Sequence, residues 1–198
     1  MNKISKIIVA GCALAVTTFS ANAQIKFGPL LGLNLANQAG DVEDNAIKLG
    51  FHVGGVVGIG LTEKLTLEPG IQFSMKGSQS SEDSKYKLNL NYIDIPVNLR
   101  YYFGEDQTGF NIGVGPYFGF LMSAKAKADD DDTDVKDFIN GLDLGLNVGL
   151  GYQLEGGFGF GASYGLGFAN TIKDPIDDEK ATNTNIQVSI RYMLGGGK

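Results

Sequence analysis

A chain of 198 residues with 43% hydrophobic and 19% charged residues, 29 Gly, 5 Pro and no Trp fits a single domain, and neither a collagen triplet nor a Pro-rich tract is present. One Cys permits no internal disulfide and no Cys-rich metal site, and one His removes most metal and triad chemistry that depends on His. With 16 basic against 22 acidic residues the net charge is −6, which argues against nucleic acid as a partner.

Residues 1–23 read as an export signal. Lys3 and Lys6 precede an apolar stretch from 7 to 19, and Ala21, Asn22 and Ala23 supply the small residues of a cleavage site. A competing lipoprotein-type site at Val9, Ala10, Gly11 and Cys12 would leave an apolar region of only 7–11, short of what such signals carry. Cleavage after Ala23 leaves residues 24–198 as one domain without Cys, and loss of Lys3 and Lys6 moves the net charge from −6 to −8. Beyond residue 23 no apolar run reaches the ~18 residues that a membrane helix requires.

From 25 to 35 apolar residues take odd positions (Ile25, Phe27, Leu31, Leu33, Leu35) against Lys26, Gly28, Gly32 and Asn34. Such two-residue alternation marks a strand with two unlike faces. It recurs from 49 to 61, and it is cleanest from 65 to 76, where Leu65, Leu67, Ile71, Phe73 and Met75 oppose Thr66, Glu68, Gln72, Ser74 and Lys76. From 93 to 103 Ile93, Ile95, Val97, Leu99, Tyr101 and Phe103 oppose Asp94, Asn98 and Arg100. Just upstream Leu88, Leu90 and Tyr92 are apolar at even positions, which predicts a parity flip at a bulge, or a strand end rising out of a membrane, near Tyr92. Four further segments, 110–122, 142–154, 158–168 and 186–194, repeat the alternation.

The second face of these strands is mostly Gly, Asn, Gln and Ser, whereas the outer face of a soluble sandwich is rich in Lys, Glu and Thr. Small polar residues suit the crowded interior of a closed barrel, and the apolar face must then look at lipid. The fold class expected is all-β: an eight-stranded antiparallel transmembrane β-barrel. The links agree, being short at 62–64, 104–109 and 155–157 and long at 38–48, 77–87, 125–137 and 171–183. That alternation predicts short periplasmic turns and long external loops. The long links are acidic, with Asp41, Glu43 and Asp44, Glu82 and Asp83, Asp129, Asp130, Asp131, Asp132, Asp134 and Asp137, then Asp174, Asp177, Asp178 and Glu179. The run at 129–134 is expected to be a solvated, mobile loop. Phe27, Tyr101, Phe103, Phe110, Tyr152, Phe158 and Tyr192 fall at the turn-side ends of the apolar face, as a periplasmic girdle would.

The segment from Tyr92 through Asp94, Pro96 and Arg100 to Phe103, the stretch Gly113, Val114, Gly115, Pro116, Tyr117, and the strand from Asp143 to Gly151 followed by Tyr164, Gly165 and Leu166 resemble the outer-membrane β-barrel proteins of Bacteroidetes (porin-family, PorT-like). The resemblance covers nearly all of the chain after residue 23. It implies outer-membrane residence and assembly by the barrel-insertion machinery, and it adds location more than mechanism. The pattern departs from that family's habit of ending on an aromatic, because Gly195, Gly196, Gly197 and Lys198 follow Leu194.

Parity turns Glu68, Asp94, Arg100, Tyr117, Asp143 and Arg191 inward, with Lys26 and Lys76, so the candidate site is a set of lumen ion pairs that fill the barrel or line a selective pore. Gly161, Ala162, Ser163, Tyr164 and Gly165 spell a GxSxG pattern inside an uninterrupted strand, where a nucleophile elbow needs a sharp strand-to-helix turn. His52 shares the inward parity of Ser163. The acidic run at 129–134 lacks the Gly and Glu of an EF-hand loop. No catalytic residue, cofactor or dedicated metal site is expected. The function expected is a structural or interaction role through the external loops. A small-solute channel and a soluble lipocalin-like carrier with its apolar face turned inward are the alternatives. The partners expected are outer-membrane lipid and the insertion machinery, with lipopolysaccharide or divalent cations as candidates at the acidic loops.

Overall fold

The computed structural model describes residues 24–42, 44–129, 131–175 and 177–195, so the expected export signal at 1–23, Glu43 and Asp130 lie outside the described residues. Eight long strands follow one another: β1 Ile25–Gly40, β2 Lys48–Gly60, β3 Leu65–Ser80, β4 Lys87–Tyr102, β5 Gly109–Ala128, β6 Leu142–Gln153, β7 Phe158–Gly167 and β8 Ala181–Tyr192. Each is antiparallel to its neighbours in sequence, and β8 closes the ring by pairing with β1 from Leu30 with Arg191 to Gly40 with Ala181. Closure gives the wall no open edge strand among the described residues, which is what lets a sheet sit in lipid.

The register fixes the barrel's geometry. Ile25 pairs with Ile59, Ile59 with Leu67, Leu67 with Leu99, Leu99 with Val114, Val114 with Val148, Val148 with Tyr164, Tyr164 with Ile186, and Ile186 with Leu35. One circuit therefore returns to β1 ten residues from its start, a shear of ten for eight strands. Strands in such a barrel tilt by about 40°, and the interior is just wide enough for side chains.

All residues of that circuit are apolar, and the wall as a whole turns its apolar face outward. Leu31, Leu49, Ile71, Val148, Phe160 and Val188 are among the exposed large hydrophobics, with Leu49 64% exposed. A lipocalin-like carrier would require the reverse. At the turn ends Phe27, Tyr101, Phe103, Phe110, Tyr152 and Phe158 are exposed on the outer face. Tyr192 packs on Phe158 with ring centroids 4.7 Å apart, and Phe103 bridges Tyr101 and Phe110 at 5.2 and 5.6 Å.

The parity flip expected in β4 does not occur there. Its even residues stay inward throughout, and Leu90 and Tyr92 are fully buried. The bulge lies instead on the neighbouring strand: Asn91 pairs with Ser123 but Tyr92 with Leu121, which makes Met122 the additional residue and flips β5 beyond it. Leu88, Leu90 and Tyr92 are apolar because they meet Leu121, Ala124, Val135 and Ile139 in a small core under the external loops.

The long links are also more ordered than their composition suggests. β3 and β4 continue as a hairpin to Ser80 and Lys87, and Asp131–Asp134 forms a strand against the end of β5, from Lys125 with Asp134 to Ala128 with Asp131. Asn140 donates to the carbonyls of Asn170 and Ile172, and Lys180 N donates to the Asp41 carboxylate, so neighbouring links are tied together. Solvation of the acidic run itself holds: Asp131, Asp132 and Asp134 are exposed. The combined variant Asp131→Asn, Asp132→Asn, Asp134→Asn should therefore change the thermal unfolding midpoint of the barrel by no more than about what ±0.5 kcal/mol produces.

A line of imino acids crosses half of the wall. Pro29 pairs with Gly55, Val56 with Gly70, Pro69 with Val97, Pro96 with Tyr117 and Pro116 with Leu146. Along it regular pairing lapses between Val56–Gly70 and Ile59–Leu67, between Pro69–Val97 and Gln72–Asp94, and between Pro96–Tyr117 and Leu99–Val114. Proline has no N–H for a ladder, and sheets ordinarily confine it to edges. Pairing runs without a gap from β6 through β7 and β8 to β1.

Candidate functional site

The chemistry lies inside the barrel, in two ion clusters at different heights. The lower one is built on Glu68 of β3, which is 1% exposed. Arg100 of β4 donates Nε to Glu68 Oε2 at 2.6 Å, Arg191 of β8 donates Nη1 to both carboxylate oxygens at 3.1 and 2.9 Å, and the Tyr102 hydroxyl donates to Oε1 at 2.8 Å. Arg100 Nη1 also reaches Asn111 Oδ1 at 2.7 Å, and Arg191 gives Nε to Gln153 Oε1 and Nη2 to the Tyr102 oxygen, each at 3.0 Å. Three strands thus meet on one carboxylate, and Asn111 of β5 and Gln153 of β6 brace the two guanidiniums that hold it. Charge-assisted bonds of this length are the strong kind, and they fix strand register across the lumen.

In the upper cluster the Lys76 ammonium of β3 lies 3.0 Å from Asp94 Oδ1 and 3.0 Å from Asp143 Oδ2. It also lies 4.3 Å from the Tyr117 ring centroid and 5.0 Å from that of Tyr92. Tyr117 donates its hydroxyl to Asp143 at 3.3 Å, and Asn183 donates to Asp143 at 3.0 Å and to the Tyr92 oxygen at 3.3 Å. The ring of Tyr117 lies across the lumen because the facing position, Gly145, has no side chain: a Cβ there would collide with the ring. Gly119 makes the same allowance for Asp94, whose Oδ1 would be 2.7 Å from an added Cβ.

All six candidate lumen residues, Glu68, Asp94, Arg100, Tyr117, Asp143 and Arg191, face the interior, but in two groups. Glu68, Arg100 and Arg191 form the lower group, and Asp94, Tyr117 and Asp143 surround Lys76 in the upper one. Lys26 stands apart at the periplasmic end, donating to the Asp106 carbonyl at 3.1 Å. Tyr102, Asn111 and Gln153 are participants that charge alone does not reveal, although their inward parity does, and Asn183 falls in what reads as an external link because β8 begins earlier, at Ala181, than its alternation suggests.

His52 does not pair with Ser163. Its Nδ1 lies 2.7 Å from Asn34 Oδ1 and its Nε2 2.9 Å from the Ser189 hydroxyl. Ser163 sits in the middle of β7, an uninterrupted strand without the turn that a nucleophile elbow requires. Among the described residues no group of three or more His, Cys, Asp or Glu side chains could hold a metal ion.

Between the clusters lies a cavity of about 100 Å³, and below the lower cluster a vestibule of about 500 Å³ opens among the short turns. Closed ring, apolar exterior, aromatic girdle and polar ion-paired interior together define a transmembrane barrel of the outer-membrane kind. Residues 19–173 match the family model of the outer membrane protein beta-barrel domain, and the chain belongs to that family; it is an outer-membrane protein.

Among solved structures the fold resembles Neisserial surface protein A (NspA), with a TM-score of 0.52 at 12% identity, covering 86% of this chain and 97% of that one. It also resembles Ail, the attachment invasion locus protein of Yersinia pestis, solved in complex with the heparin analogue sucrose octasulfate, with a TM-score of 0.50 at 12% identity over 86% of this chain and 99% of that one. At such identity the likeness is one of fold. No curated protein matches the chain in sequence.

Proposed function

We propose that this barrel is a closed scaffold whose biological work is done by its external surface, as a structural or interaction protein. The observation that carries the reading is the pair of ion clusters spanning the lumen, because an eight-strand interior leaves little room beside them. Purified protein in planar bilayers should show no steady ion conductance. Reproducible open channels, altered by Arg100→Ala, would replace this reading with the second one, a small-solute channel. The vestibule and the cavity above it favour that alternative.

The partners proposed follow from charge. The external links carry Asp41, Asp44, Glu82, Asp83, Asp129, Asp131, Asp132, Asp134, Asp174, Asp177, Asp178 and Glu179, so a polyanion such as the heparin analogue bound by Ail is a poor match. A basic surface, or lipopolysaccharide bridged by divalent cations, fits better. A Bacteroidetes, PorT-like origin, assembly by the barrel-insertion machinery and the lack of any enzymatic activity complete the proposal, the last supported by the engagement of both His52 nitrogens with Asn34 and Ser189. Export rests on residues 1–23. Intact-mass measurement of protein recovered from outer membranes should find a chain beginning at Gln24, and a retained Met1 or lipid on Cys12 would contradict it.

A further inference from the structure

The two ion clusters are each unbalanced, in opposite senses. The lower one brings two guanidiniums to one carboxylate, and the upper one brings two carboxylates to one ammonium. Arg100 and Asp94 are six positions apart on β4, about 20 Å along the strand, so the two excess charges do not meet. Only the positive excess borders the cavity between them: Glu68, Arg100 and Arg191 line it, and Lys76, Asp94 and Asp143 do not.

The lower cluster has one charged donor group left over. Glu68 is saturated by Arg100, Arg191 and Tyr102, and Arg191 uses all three of its nitrogens. Arg100 spends Nε on Glu68 and Nη1 on Asn111, while its Nη2 donates to no group among the described residues. The facing residue on β5 is Gly113, where a Cβ would stand 3.3 Å from the guanidinium carbon, so the glycine leaves that face clear. Around the same space the side chains of Gln72, Asn98, Asn147 and Ser163 line the cavity and make no side-chain hydrogen bond among the described residues.

An excess charge inside a barrel surrounded by lipid is costly unless something of opposite sign stands close to it. Water can satisfy the free donors of a polar cavity this size, but it cannot cancel the charge. We propose that the cavity is a binding site for one small monovalent anion, chloride in its ordinary setting, with Arg100 as the charged donor and Asn98, Asn147 and Ser163 completing the shell. A single negative charge balances the cluster, whereas a doubly charged oxyanion would invert its sign. The vestibule provides the approach, with Glu68 on the boundary between the two spaces.

The test uses the full chain, folded in detergent. Thermal unfolding is followed in sodium chloride and in sodium gluconate at matched ionic strength, gluconate being too large for the cavity. The midpoint should rise with the logarithm of chloride concentration and not with gluconate, as linkage requires of an anion held by the folded state alone. Crystals soaked in sodium bromide should show an anomalous peak in the cavity beside Arg100. Asn147→Asp leaves the Glu68 cluster intact and sets a negative charge in the cavity, so it should abolish both the chloride dependence and the bromide peak. Equal midpoints in the two salts, or a cavity holding only water in bromide-soaked crystals, would overturn the proposal. Both of those measurements stand on the unaltered protein, whether or not the variant folds.

Discussion

Glu68→Gln should lower the unfolding free energy of the barrel by about 3 to 5 kcal/mol, measured by reversible denaturant unfolding from lipid vesicles, because it breaks a buried ion cluster and leaves charge unopposed. The carboxylate is 1% exposed and is held by Arg100, Arg191 and Tyr102 at 2.6 to 3.1 Å, so a neutral amide leaves two guanidiniums facing one another without the carboxylate that both of them bind. The shape of the side chain hardly changes, and the loss therefore reports electrostatics more than packing. The triple variant Glu68→Gln, Arg100→Gln, Arg191→Gln should recover most of the loss, since replacing a whole buried cluster is often close to neutral. If Glu68→Gln alone costs under about 1 kcal/mol, water in the vestibule already solvates the arginines and the lower cluster is no plug.

Val148→Arg should destabilise the folded barrel by about 2 to 4 kcal/mol, the cost of a basic residue near the bilayer midplane. Val148 is 55% exposed on the outer face of β6 and belongs to the apolar circuit between Val114 and Tyr164. Val148→Thr, similar in shape and uncharged, should cost much less. Equal costs for the two substitutions would mean that this face meets water, and the membrane assignment would fall with it.

Most of the architecture can be read from period two, because a barrel wall has only two kinds of surroundings and each side chain along a strand must choose between them. The clean alternation in β3, from Leu65 to Lys76, placed Glu68 and Lys76 inside together with their partners on β4, β6 and β8. The same rule misled at Leu88, Leu90 and Tyr92. Apolar residues at inward positions imitate a parity flip when the lumen itself becomes apolar beneath the loops. The bulge at Met122 changes which face follows but leaves no composition mark of its own. Which inward charge meets which was hidden for another reason: partners such as Glu68 and Arg191 are 123 positions apart, and only the closure of β8 on β1 brings them together.

The line of prolines gives the cylinder an uneven stiffness. Across β2, β3, β4 and β5 three neighbouring seams lack part of their ladder, while the arc from β6 through β8 to β1 is stitched without a gap. That line is therefore where lateral pressure from the surrounding bilayer is expected to crease the tube, with the opposite arc as the stiffer part. The line runs past Gly70 and Pro96, which also border the inner cavity, so the space beside Arg100 is where a squeeze on the wall is expected to be felt first.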